Sequence, residues 1–272
     1  MPELPAVAGL VHEEAGAGLP VVGLHGLTAT RRHVLMGSRS LSRSGHRVVL
    51  YDARAHGESP PAPDAGAYAY ADLAADLGAL LDRLEIERAV LAGVSMGAHT
   101  ALAFALEHPA RVAALALITP AYRPDRFPSG LDGWDALARG LVEGGVEGFI
   151  SAYDLEAVDP RWRETLVTAL RQRMAAHRHP RALADALRAV PRSRPFAAME
   201  DLHRIAVPTL VVGSRDAADP GHPLATAEAY ALAIPGARLA VEEPGRAPLA
   251  WQGGQLSRLI AALAAGPSAT GG

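Results

Sequence analysis

The chain contains neither cysteine nor lysine. The first absence removes disulfides, thiolate catalysis and Cys-ligated zinc together, and it leaves the redox compartment open. The second removes a phosphate-loop lysine and makes every one of the 26 basic side chains an arginine. Neither sign of charge dominates: a formal net charge of -3 and a pI near 6.4 provide no basic field for nucleic acid and no acidic, solvating tail. The N-terminal stretch has no basic n-region followed by an apolar core, and no uninterrupted apolar run reaches membrane-spanning length, so a soluble, cytoplasmic protein is expected. No His-Glu-x-x-His pair and no dinucleotide-type glycine pattern occurs, so neither a metal nor another cofactor is implied. Oligomeric state is not legible.

What is present is 272 residues with 49% hydrophobic content, enough to bury one large α/β core with an insertion. Short apolar runs beginning near Pro20, His46, Arg88, Arg111, Val207 and Ala237 alternate with segments of helical period. That alternation argues for a mostly parallel sheet covered on both faces. The clearest helix spans about Tyr70 to Leu84, where Leu73, Leu77, Leu80, Leu81 and Leu84 form one stripe, and another closes the chain with Leu256, Leu259, Ile260 and Leu263. The alternation breaks between 121 and 202, where no strand is expected and helix-like stretches lie at Trp162–Ala176 and Arg181–Val190. The expected partition is a core of 1–120 and 203–265, an inserted helical cap of 121–202 and a frayed tail of 266–272.

Gly93-Val94-Ser95-Met96-Gly97 follows an apolar strand and opens a helix, the context in which a G-x-S-x-G pattern displays a serine on a tight elbow. The glycines flanking Ser95 let strand and helix approach closely, and the amide of Met96 at the helix N-terminus suits a developing oxyanion. His25-Gly26-Leu27-Thr28 ends an earlier strand, and Leu27 is the expected second amide donor. Asp52-Ala53-Arg54-Ala55-His56-Gly57-Glu58-Ser59 ends the next strand. These motifs, in this order and at these separations, resemble the α/β-hydrolase family, in particular its esterase, lipase and C–C-bond hydrolase branches.

The resemblance implies an α/β-hydrolase fold and a serine nucleophile acting on an ester, thioester or related acyl substrate. It implies that Asp52, Arg54 and His56 organise a loop, that His25 supports the oxyanion loop or faces the substrate, and that His99 is structural. It also implies an acid after a late strand. Asp216 takes that role, with Asp219 as its rival. After the last strand the family carries a Gly-His pair, but here Gly245 is followed by Arg246. A guanidinium has no lone pair to accept a proton, so Arg246 cannot activate a serine hydroxyl.

Three readings stay open. His222, in Asp219-Pro220-Gly221-His222, substitutes as the base; or Arg246 is a ligand for an anionic substrate; or the fold is a pseudo-enzyme that binds a small anion or another protein. Between Arg161 and Arg194 nine arginines (Arg161, Arg163, Arg171, Arg173, Arg178, Arg181, Arg188, Arg192 and Arg194) face only Glu164 and Asp185, with His177 and His179 interleaved. That block is either a solvated helix face or an attractor for an anionic substrate or protein surface.

Overall fold

The computed structural model describes residues 6–128, 130–216, 219–246 and 251–266. Its strands are β1 (His12–Ala15), β2 (Leu19–Leu24), β3 (His46–Tyr51), β4 (Ala89–Val94), β5 (Val112–Ile118), β6 (Thr209–Gly213) and β7 (Arg238–Val241). Its helices are α1 (Ser40–Arg43), α2 (Tyr70–Arg83), α3 (Met96–Glu107), α4 (Leu131–Ser151), α5 (Arg163–Ala175), α6 (Pro180–Ala189), α7 (Leu224–Ala233) and α8 (Gly253–Ala264). The strands form one sheet in the order β1-β3-β2-β4-β5-β6-β7, all parallel except β1, which runs antiparallel to β3. Among the described residues no helix is long and apolar enough to cross a membrane.

Side chains alternate across a strand, and here both sides of the sheet are apolar. Val22, Leu24, Leu91, Leu115, Leu117 and Val211 face one core, which α2, α3 and α7 complete. Val21, Val90, Ala92, Ala116, Ile118 and Val212 face the other, closed by Leu41 of α1 and by Leu256, Ile260 and Leu263 of α8. This is why β4, β5 and β6 read as unbroken apolar runs. The leucine stripe of α2 behaves as its spacing predicts: Leu73, Leu77, Leu80 and Leu81 are all buried, each worth about 1.5–3 kcal/mol of transfer free energy.

Two elements depart from the sequence reading. The sequence His12-Glu13-Glu14-Ala15 has no apolar period, yet forms β1, because an antiparallel edge strand is held by main-chain pairing and leaves its side chains in water. Leu131–Ser151 is helical despite its glycines, with a break at Gly145, whose φ of 61° lies in the left-handed region. Helices α4, α5 and α6 all fall between β5 and β6, inside the stretch where the alternation stops. The expected tail lies outside the described residues except for Gly266.

Candidate active site

β4 delivers Ser95 to the C-terminal edge of the sheet, and α3 starts at the next residue. Ser95 has φ 51° and ψ -112°, a conformation that costs a non-glycine residue roughly 1–3 kcal/mol. Its amide donates to the Ile118 carbonyl (3.0 Å), and its carbonyl accepts from the His99 amide (3.1 Å), which ties the turn to both β5 and α3. A Cβ on Gly93 would lie 2.3 Å from the Gly97 carbonyl carbon, and one on Gly97 would lie 2.2 Å from the Leu24 carbonyl oxygen. Both positions therefore exclude any side chain.

The loop after β2 runs beside the serine, since a Cβ on Gly26 would stand 3.5 Å from that of Ser95. Among the described residues the amides of Leu27 and Met96 donate to no other group, as an oxyanion pocket requires. Neighbouring side chains hold this loop. The Ala53 amide donates to His25 Nε2 (2.9 Å), and His25 Nδ1 lies 2.8 Å from the Gly26 carbonyl, so the proton sits on Nδ1. Burial, and then the neighbouring His56, hold the His25 pKa well below the ordinary histidine value. Both ring nitrogens of His25, expected at the substrate or behind the oxyanion loop, are engaged by backbone on the loops after β2 and β3.

His56 lies between the Arg54 carbonyl (2.9 Å from Nδ1) and the Leu27 carbonyl (2.6 Å from Nε2). Arg54 is buried and reaches Asp76 through Nε (2.7 Å) and Nη2 (2.8 Å). The Asp52 carboxylate accepts from the Arg31 amide (2.7 Å), the Arg31 guanidinium and the Glu58 amide (3.1 Å). These three residues therefore face the loop rather than the serine. Arg31 and Asp76, their partners, carry no motif of their own and were not singled out in the sequence.

The turn between β6 and α7 brings up the imidazole. Asp219 donates its amide to the Asp216 carbonyl, and His222 donates to the Asp219 carbonyl, each at 3.2 Å. His222 Nε2 reaches Ser95 Oγ at 2.7 Å, and Nδ1 lies 2.8 Å from both carboxylate oxygens of Asp219. The carboxylate on Nδ1 is thus that of Asp219, not Asp216 as the family pattern suggested. Asp216 lies on the wall of a cavity of about 170 Å³ that also touches Asp219, His222, Thr119 and Trp251.

Burial raises the pKa of Asp219, but the hydrogen bond and charge of His222, with Arg173 and the Gly221 amide, outweigh it and leave the carboxyl below its ordinary range. An ionised Asp219 fixes the Nδ1–H tautomer, which turns the Nε2 lone pair toward the serine hydroxyl. Arg246 is exposed in the turn after β7, its amide donating to the Glu243 carbonyl (3.1 Å), and it does not line the cavity. Arg246, expected at the substrate, thus stands outside the described lining of that cavity. Residues 247–250, which follow it, lie outside the described residues.

From the segment between β5 and β6, two side chains reach the loop after β2. His177 Nε2 lies 3.3 Å from the Thr28 carbonyl oxygen while its Nδ1 accepts from the Gly57 amide (2.9 Å) of the loop after β3, and Arg173 Nη2 donates to Thr28 Oγ1 (2.8 Å). Burial brings the His177 pKa down to about 3. Both residues stood in the arginine-rich block, but their spacing alone does not separate them from the exposed members.

A doubly covered parallel sheet with a strained serine elbow at its C-terminal edge defines the class, and a family model for the alpha/beta hydrolase fold matches residues 20–251. The chain belongs to the α/β-hydrolase family. Curated relatives include a putative carbamate hydrolase, RutD, of Azorhizobium caulinodans, 29% identical over 86% of each chain. RutD of Variovorax paradoxus is 44% identical over 32% of each, so the chain spans about a third of the length of that relative. Among solved structures, a thermophilic esterase from Thermogutta terrifontis with malate bound superposes with a TM-score of 0.73 at 27% identity, covering 94% of this chain and 90% of the other. An esterase from Exiguobacterium antarcticum gives 0.71 at 25% identity over 96% of both.

Proposed function

We propose that the protein is a serine hydrolase of carboxylic esters, thioesters or related acyl compounds whose base comes from the turn after β6. Ser95 is the nucleophile, His222 the general base and acid, and Asp219 the carboxylate that orients it. The amides of Leu27 and Met96 hold the oxyanion, and α4 to α6 cover the site as a cap. The approach of His222 Nε2 to Ser95 Oγ at 2.7 Å carries this reading, because it supplies the proton acceptor that Arg246 cannot be. Esterases among the structural relatives support the reaction class.

In the first half-reaction the serine oxygen bonds to the acyl carbon while its proton passes to Nε2. The C–O or C–S bond of the substrate then breaks, and His222 gives that proton to the departing alcohol or thiol. In the second, water loses a proton to Nε2 and bonds to the acyl carbon. The acid is released and the proton returns to Ser95.

Labelling with a fluorophosphonate probe tests the reading. The wild type is expected to label at Ser95, Ser95→Ala not at all, and His222→Ala more slowly by about 10³-fold or beyond. A wild type that does not label points instead to a ligand-binding protein of the same fold.

A further inference from the structure

The arginine-rich block does not act as a block. Arg161, Arg163, Arg171, Arg178, Arg188 and Arg192 each pair with a carboxylate within 3.3 Å. Arg194 lies over the Phe127 ring, 4.5 Å from its centroid. Arg181 is exposed. Arg173 is the exception. It is drawn in from α5, makes no ion pair among the described residues, and has one side-chain bond, from Nη2 to the neutral hydroxyl of Thr28. Its Nε is buried without a partner, and its Nη1 makes no bond among the described residues.

A cation moved out of water with one neutral acceptor is poorly compensated, and desolvation lowers the Arg173 pKa accordingly. The carboxylate that senses it, Asp219, is already committed to His222. The other titratable groups that sense Arg173 are Tyr153, His33 and His177; burial holds both histidines below the ordinary value, so they add no anion. Thr28 follows Leu27 directly, so the guanidinium bonds the residue next to the expected oxyanion amide.

We propose that Arg173 is a specificity-determining residue, which favours acyl substrates bearing a second, free carboxylate, such as half-esters of short dicarboxylic acids. An Arg fork matches a carboxylate in two parallel bonds, and the bound anion supplies the charge that the protein withholds. The inference rests on the reading of Ser95 as a nucleophile, but the anion site itself does not.

The test compares p-nitrophenyl hydrogen succinate with p-nitrophenyl butyrate, which share chain length and leaving group. The ratio of kcat/KM for the succinyl over the butyryl ester is expected to fall by about 10- to 100-fold in Arg173→Met and by less in Arg173→Lys. Urea midpoints establish that both variants fold. In parallel, calorimetric titration of succinate into Ser95→Ala, with and without Arg173→Met, reads binding with no chemistry. If neither ester turns over but succinate binds and Arg173→Met weakens it, the hydrolase reading fails and the anion site stands. An unchanged ratio overturns the inference. So does an equal loss for both esters with a moved pH profile, because Arg173 then acts only through Asp219. Absence of succinate binding to the Ser95→Ala protein also overturns it.

Discussion

Two carboxylates lie on the turn after β6, and one bonds the imidazole, so exchanging them singly for amides separates their roles. In Asp219→Asn the side chain keeps its shape but loses its charge. An amide NH₂ turned toward His222 also favours the tautomer with Nε2 protonated, which faces Ser95 with a donor where an acceptor is needed. Losing the acid of a serine triad costs about 10³- to 10⁴-fold in kcat, or roughly 4–5.5 kcal/mol of transition-state stabilisation. Both Asp219 oxygens lie 2.8 Å from Nδ1, so no second carboxylate bond remains on that nitrogen to soften the loss. Asp216 borders the cavity, and because Asp219 already holds Nδ1, Asp216→Asn is expected to cost less than about 10-fold. The assay is steady-state hydrolysis of p-nitrophenyl butyrate, with the fluorophosphonate labelling rate as a check independent of deacylation. If Asp216→Asn is the more damaging of the two, the Asp219–His222 pairing is not the working arrangement and the argument from the turn is wrong.

Two further outcomes follow. Arg246→His is expected to change ester turnover by less than about threefold, the scale of an exposed substitution, because Ser95 already has an imidazole; a gain of ten-fold or more would return the base to the turn after β7. Stability should fall with acid: burial brings the pKa of His99 and of His177 down to about 3, so between that value and the unfolded value of about 6.5 the unfolded chain binds more protons than the native one. Each group then costs on the order of 1 kcal/mol per pH unit as pH drops through that window. A urea midpoint that does not move between about pH 7 and about pH 5 would contradict the burial of these two rings.

How much of this was legible in the sequence depends on how local each feature is. β4, the elbow and α2 were, because a strand buried on both faces, a serine between two obligatory glycines and a leucine stripe each write their packing into adjacent residues. β1 was not, because main-chain pairing at a sheet edge asks little of the side chains of Glu13 and Glu14. The choice between Asp216 and Asp219 depended on how the chain turns between Asp219 and His222, which the string Asp219-Pro220-Gly221-His222 permits but does not demand. The case of Arg173 was hardest: its partner Thr28 lies 145 positions away, and nothing near residue 173 distinguishes it from its exposed neighbours.

Under the proposed mechanism acid and base share one short turn, with a consequence for how the site fails. Asp219 and His222 travel together, so a shift of that segment leaves their mutual contact whole and alters a single coordinate, the gap to Ser95. Perturbations of α7 or of the packing beneath it should thus switch proton transfer off and on through distance alone.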